Sequence, residues 1–299
     1  MTKAFTYQPK GPFDLLFQNQ YFNGWPALPD DKTTIVMAFP IEGWRGSAAV
    51  TLHQQDGGTL DITVYGDVDH EAAKEQALAA MSANEDATDW PAVGKRDAFV
   101  GRLQQTYHYM RPTKFHSAYE AAASLLISHR ISVRQGRVIR ARMAEQFGEA
   151  FNVHGQTFYA FPTPQKLLEI TEFQGLNDVK IERLHAVAQA ALDGLLDGNY
   201  LRSLSEEEAL AKLEELPGIG PFFSQGILYR GAGRADGFTH DDITYHAIQQ
   251  MRHESRELTK DEVLAIAEAW RPFRMWVIVL LHVWAYETKN LPKRTFSKR

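Results

Sequence analysis

Cysteine is absent from the 299 residues. That excludes disulfides, cysteine-ligated zinc and iron–sulfur clusters, and it suits a reducing compartment. Long apolar runs are missing as well. The longest, Met275–Val283 (MWVIVLLHV), is too short to span a bilayer and reads as a buried core helix. The opening residues, MTKAFTYQPKGPF, lack the apolar stretch of a secretory signal, so a cytoplasmic protein without membrane partners is expected. Excess positive charge is lacking too: 32 Lys and Arg stand against 37 Asp and Glu, for a net charge of −5. Taken alone, this argues mildly against a nucleic-acid partner. Internal repeats, low-complexity segments, Walker-type phosphate loops and HExxH motifs do not occur.

What is present is an ordinary globular composition, 44% hydrophobic and 23% charged, with core enough for one large or two modest domains. The charges are unevenly spread. Arg111, Lys114, Arg130, Arg134, Arg137, Arg140 and Arg142 are opposed only by Glu120 and Glu145, and Lys289, Lys293, Arg294, Lys298 and Arg299 end the chain without an acid. Such runs are either solvated helix faces or a surface for a polyanion, and their distribution matters more than the net charge.

The first third is β-rich. Thr33–Phe39, Ser47–Leu52 and Thr59–Tyr65 are β-branched and partly alternating, with Asp56-Gly57-Gly58 as a hairpin signal between the last two. His70–Met81 has helical spacing and is expected to pack on that sheet. Ser82–Gly94 is polar and turn-rich, the loosest part of this region. From Ser117 onward strand patterns vanish. Ser117 is placed to cap one long apolar-and-basic helix through Gln146, ended by Gly148. Thr163-Pro164 starts another helix, and Ser205 with Glu208 forms a capping box before Leu210, Leu213 and Leu216. These signals predict an α+β fold: a β-rich domain over residues 1–112 and a helical region over 113–299.

Leu216-Pro217-Gly218-Ile219-Gly220-Pro221-Phe222 then joins two helices within 205–231. Two glycines one residue apart make a tight turn in which free N–H groups can approach an anion, as a phosphate contact that positions DNA without reading sequence. A structural joint between helices is the plainer alternative. Asp242 lies 20 residues beyond Phe222, enough for one helix and a return loop. Asp241 or Asp242 could serve only as a helix cap. An ionised carboxylate in a dry cleft would instead stabilise positive charge developing on a sugar ring. His240, Asp242 and His246 have weak metal-ligand spacing, better explained as a polar helix start, so neither a metal nor a cofactor is expected.

LPGIGPFFSQ, FTHDDITYHAIQQ and AEAWRPFRMWVIVLLHVW together resemble the signature of the helix–hairpin–helix DNA glycosylases, and specifically of the 3-methyladenine DNA glycosylase II family. FPTPQKLLEI, LISHRISVRQGRV and GPFDLLF fall in the family's order, so the likeness spans nearly the whole chain. The resemblance implies a small β-domain beside two helical subdomains and excision of alkylated purines from duplex DNA, leaving an abasic site. It also implies a nucleoid-associated monomer with no obligatory protein partner. Asp242 matches the catalytic aspartate, and Gly218 and Gly220 match the phosphate-binding turn, with Leu216 and Phe222 flanking it. A monovalent cation can rest on the turn's carbonyls in this family. Phe222 stands where lyase-competent relatives carry lysine, which implies hydrolysis without a Schiff base. His129 and Arg130 occupy the loop that enters the minor groove, as a wedge or as a phosphate contact. Phe222, Trp276 and either Trp284, by motif, or His282, by ungapped count, are the base-pocket candidates, with Phe223 as a further aromatic of the cage. Gly226 replaces a pocket aromatic and is expected to enlarge the pocket. Alternatives are a glycosylase for deaminated or oxidised bases, and a non-catalytic lesion-binding protein.

Overall fold

The structure, a computed structural model, describes residues 1–21 and 24–292; Lys293, Arg294, Lys298 and Arg299 of the basic tail lie outside them. Chain order is β1 (Thr2–Tyr7), α1 (Leu15–Asn19), β2 (Thr34–Pro40), β3 (Ser47–Gln54), β4 (Leu60–Tyr65), α2 (His70–Ala80), α3 (Trp90–Arg96) and α4 (Ala98–Thr106). It continues with α5 (Ala118–Ser128), α6 (Val133–Phe147), β5 (Ala150–Val153), β6 (Gln156–Tyr159), α7 (Pro164–Leu168) and α8 (Asp178–Leu192). Last come α9 (Gly198–Ser203), α10 (Glu206–Glu214), α11 (Pro221–Gly226), α12 (Asp242–Met251), α13 (Lys260–Ala267) and α14 (Arg274–Glu287). The fold is α+β, as the sequence predicts. No helix among the described residues is long and apolar enough to cross a membrane.

The antiparallel sheet has the order β1-β4-β3-β2, with β3 and β4 joined through Asp56-Gly57-Gly58. Leu60, Ile62 and Val64 alternate inward and meet Ala73, Ala77 and Leu78 of α2, which caps at Asp69. Burying such side chains stabilises the fold by about 1.5–3 kcal/mol each. The opposite face is also covered. Val36 and Ala49 pack on Phe151, Val153 and Phe158 of the β5–β6 hairpin, a pair of strands the sequence pattern beyond Ser117 does not predict. Each of these strands has only four residues, too few for alternation to register.

Two other expectations are corrected. Ser82–Gly94 is not loose: Ser82, Ala83, Ala87 and Trp90 are fully buried. Buried Arg111 holds this segment, donating to the carbonyls of Pro12, Ser82 and Glu85 at 2.9, 2.9 and 3.0 Å, while its guanidinium lies over Phe13 and Trp276. The helix capped by Ser117 is not one helix. It stops at Ser128, turns at His129–Ile131, and restarts at α6 with a capping box between Ser132 and Gln135. Helices α3 and α4 precede residue 112 yet belong by packing to the helical body. Trp90 meets Trp276 and Phe273, and Phe99 meets Trp284. Thr163 with Pro164 and the Ser205–Glu208 box begin their helices as expected.

Candidate active site

Helix α10 ends at Glu214, and buried Leu213 and Ile219 anchor the turn that follows. Gly218 has φ +85°, a left-handed conformation that glycine adopts without Cβ strain. Gly220 then caps α11, with Pro221 at the first helical position. Among the described residues the N–H groups of Gly218 and Gly220 find no backbone acceptor, so both are free for an anion. Among the described residues the carbonyls of Pro217, Gly218 and Ile219 accept no backbone hydrogen bond either, so these are the turn's oxygens open to a cation. Ser224 Oγ donates to Glu214 Oε1 at 2.9 Å and ties the two helices together. Leu210 and Leu216 are half-buried, and α11 continues into a π-helical turn, Ile227–Gly231, whose first three side chains are buried.

The interhelical turn lies on the same face. Arg130 is exposed at its apex with φ +59°. The His129 ring sits edge-on to Phe223 at 5.5 Å, and Phe223 adjoins Phe222, which is 64% exposed. Helix α8 braces the turn from behind, with Lys180 Nζ donating to the Ile127 carbonyl at 2.7 Å. Arg183, one turn along, lies against Gly218. Burial lowers the His129 pKa, and the charges of Arg130, Lys180 and Arg183 lower it further, so the imidazole is surrounded by cations. Sequence reasoning missed Lys180 and Arg183 because nothing in the pattern of α8 tells which way its basic residues point. The basic run, by contrast, is divided between internal joints and surface. Arg111 is a core joint, Lys114 pairs with Glu85, and Arg140 pairs with buried Glu120; Arg130, Arg134 and Arg137 remain exposed.

The two carboxylates have different surroundings. Asp241 caps α12, accepting from the Thr244 N–H at 2.9 Å and from the Thr239 and Thr244 hydroxyls at 2.8 Å. His282 Nε2 lies 3.1 Å from Oδ1, the oxygen that also accepts from the Thr244 N–H. Burial pushes the Asp241 carboxyl up, but His282 and Thr244 more than offset this and bring it down to about 2. Asp242 sits in the first turn of α12, exposed rather than buried, and its side chain makes no hydrogen bond with the described residues. It faces the partial positive charge of the helix start. The return loop runs back along the hairpin helices: Gly237 touches the Tyr229 ring, and Tyr229 bonds Glu206 at the start of α10. His240 and His246 bond Tyr245 and Asn290 respectively, so they do not converge with Asp242.

The pocket candidates separate. Trp276 is 1% exposed and belongs to the core between Trp90 and Phe273, so it lines no pocket. His282 is the α14 residue facing α12, whereas half-buried Trp284 lies edge-on to Phe99 at 5.2 Å. Gly226 opens little space: a Cβ there would stand 3.1 Å from Leu125 Cδ1, so the Leu125 side chain already occupies the place before it. Leu125, which sequence spacing did not single out, fills that place.

The fold resembles that of solved DNA glycosylases. The solved 3-methyladenine DNA glycosylase from Archaeoglobus fulgidus matches 99% of this chain and 100% of its own with a TM-score of 0.77 at 18% identity. The Clostridium acetobutylicum 8-oxoguanine glycosylase/lyase, solved with duplex DNA containing cytosine opposite 8-oxoguanine, matches 89% and 88% with a TM-score of 0.66 at 17% identity. In sequence the chain resembles the DNA-3-methyladenine glycosylases. The Escherichia coli (strain K12) DNA-3-methyladenine glycosylase 2 is 27% identical over 233 residues, covering 77% of each chain. No protein-family model matches.

Proposed function

We propose that the protein is a monofunctional DNA glycosylase of base-excision repair that releases alkylated purines from duplex DNA and acts as a monomer. The observation that carries this reading is the division between the two aspartates. Asp241 is consumed by capping and by His282, which leaves Asp242 as an exposed carboxylate without a side-chain partner, while the hairpin turn offers free N–H groups. The resemblance to 3-methyladenine glycosylases favours alkylated bases.

In this mechanism the Gly218–Gly220 turn holds a backbone phosphate. Arg130 enters the minor groove, and the target nucleotide leaves the stack at an unstacking cost of a few kcal/mol. Duplex DNA covers Asp242, and the carboxylate then stabilises the oxocarbenium-like sugar as the glycosidic bond breaks and orients the attacking water. Bases such as 3-methyladenine and 7-methylguanine carry positive charge before they leave, so they need little protonation. Aromatic faces suffice to hold them, each worth roughly 0.5–2 kcal/mol, and Phe222, the exposed aromatic of the hairpin, is assigned to this task. With Phe222 where a lysine nucleophile would stand, the product is an intact abasic site.

The test is mass-spectrometric identification of bases released from methylated, deaminated and oxidised duplexes. Release of methylated purines by the wild type and not by Asp242→Asn supports the reading. Release of 8-oxoguanine alone, or strand cleavage without alkali, overturns the assignment of substrate or of product. Equal release by both proteins overturns the role of Asp242.

A further inference from the structure

The guanidinium of Arg183 is the feature that the proposed chemistry leaves unexplained. It comes from α8, an element with no part in the hairpin, yet it lies directly on the hairpin turn. A Cβ added to Gly218 would stand 2.7 Å from Arg183 Cδ and 2.8 Å from its Nε. The side chain is half-buried, and among the described residues it makes no hydrogen bond and no ion pair. It shares one neighbourhood with other cations: together with Arg130 and Lys180 it disfavours protonation of His129. Glu214 of the hairpin accepts from Ser224. A guanidinium has five donors in a planar fork and loses much of its hydration when half-buried. Leaving them unmatched beside other cations is costly unless an anion arrives.

We infer that Arg183 is the side-chain half of a phosphate clamp whose main-chain half is the Gly218–Gly220 turn, so that α8 is a third DNA-binding element beside the hairpin and the Arg130 turn. This rests on the proposed DNA glycosylase reading and adds to it the residue that supplies the clamp's charge. The same helix spans both contacts. Lys180 fixes the end of α5 through the Ile127 carbonyl, and Arg183 one turn later meets Gly218. A phosphate seated on the hairpin therefore also sets the position of the turn that carries Arg130.

The experiment compares wild type, Arg183→Met and Arg183→Lys in binding an undamaged duplex and a duplex with an abasic-site analogue, across a salt series. Met keeps the alkyl stem over Gly218 without the charge, and Lys keeps a charge without the fork. Losing one phosphate contact lowers the slope of log K against log salt by about 0.9. Arg183→Met is expected to show that reduction and to weaken both duplexes by the same factor, because the contact reads no sequence. Arg183→Lys is expected to keep the wild-type slope. Weaker binding by Arg183→Met with an unchanged slope would show a packing role and overturn the inference, as would wild-type binding by that variant. Should Arg183→Met fail to fold, Arg183→Gln read on the same slope decides. A wild type that excises bases while Arg183→Met matches its salt slope sinks this inference alone; a wild type that binds neither duplex sinks it together with the proposed function.

Discussion

Replacing each of the paired aspartates separately should split stability from activity. Asp241 is the structural member. Its carboxyl stands at about 2 against an ordinary 3.8, and holding a group that far down corresponds to about 2 kcal/mol of folding stability while it is ionised. An N-cap side chain contributes roughly 0.5–2 kcal/mol, but part of that is the same Thr244 N–H bond and is not added again. Asp241→Ala is therefore expected to lower stability by about 2–3 kcal/mol. Asp241→Asn keeps a capping oxygen but loses the charge facing His282, and should cost about 1–2 kcal/mol. The Asp242 side chain makes no hydrogen bond with the described residues, so Asp242→Asn should fall within about 0.5 kcal/mol of wild type.

The pH dependence has a definite sign. A depressed carboxyl stabilises the fold above its unfolded value and loses that contribution as pH falls through its folded value. The gap between wild type and Asp241→Asn should therefore be full above about pH 4 and close as pH falls from about 4 to about 2. Urea denaturation at several pH values measures the first effect, and release of methylated purines from duplex DNA at neutral pH measures the second. Equal destabilisation by the two Asn variants would refute the division of roles. So would an Asp242→Asn protein that still excises bases while a folded Asp241→Asn protein does not; that result would move the catalytic role to the buried carboxylate.

Gly218→Ala combines a Cβ at φ +85° with a close approach to Arg183; it should cost about 1–3 kcal/mol in stability and more in DNA affinity than in unfolding, read by anisotropy against a melting curve. Glu120→Gln removes the charge facing Arg140 and leaves one amide oxygen where two oxygens now serve Arg140 and His116, whose other nitrogen accepts from Trp25 at 3.0 Å; breaking a buried pair of this kind is expected to cost about 3–5 kcal/mol, and a loss under 1 kcal/mol by urea denaturation would contradict it. Arg111→Lys should also destabilise by several kcal/mol, since one ammonium cannot reach the carbonyls on both sides that the guanidinium fork spans, and near-native melting would show that the joint matters less than its bonds suggest. Leu125→Ala should widen the space before Gly226 and broaden the range of bases released, at about 2–3 kcal/mol in stability; an unchanged product spectrum would remove Leu125 from the pocket.

What could be read from the chain, and what could not, divides by the range of the interactions involved. The Ser205–Glu208 box, Thr163-Pro164 and Asp56-Gly57-Gly58 are local: donor, acceptor and turn residue lie within four positions, so sequence spacing states the geometry. The break between α5 and α6 turns on Arg130 at φ +59°, a conformation usually assigned to glycine or asparagine, and an arginine there leaves no signal. β1 is mostly exposed and pairs only with β4, some 60 residues away, so it shows no alternation of its own. Ser82–Gly94 looks loose because its polar backbone is satisfied by Arg111, which reaches it from another segment. The site follows the same rule. The hairpin glycines and the aspartate pair are legible because each motif is contiguous. Which aspartate caps and which is free depends on His282, 41 positions from Asp241, and which arginine meets the phosphate turn depends on the packing of α8 against Gly218. Roles fixed by a partner distant in the chain become readable only once the fold has brought the two together.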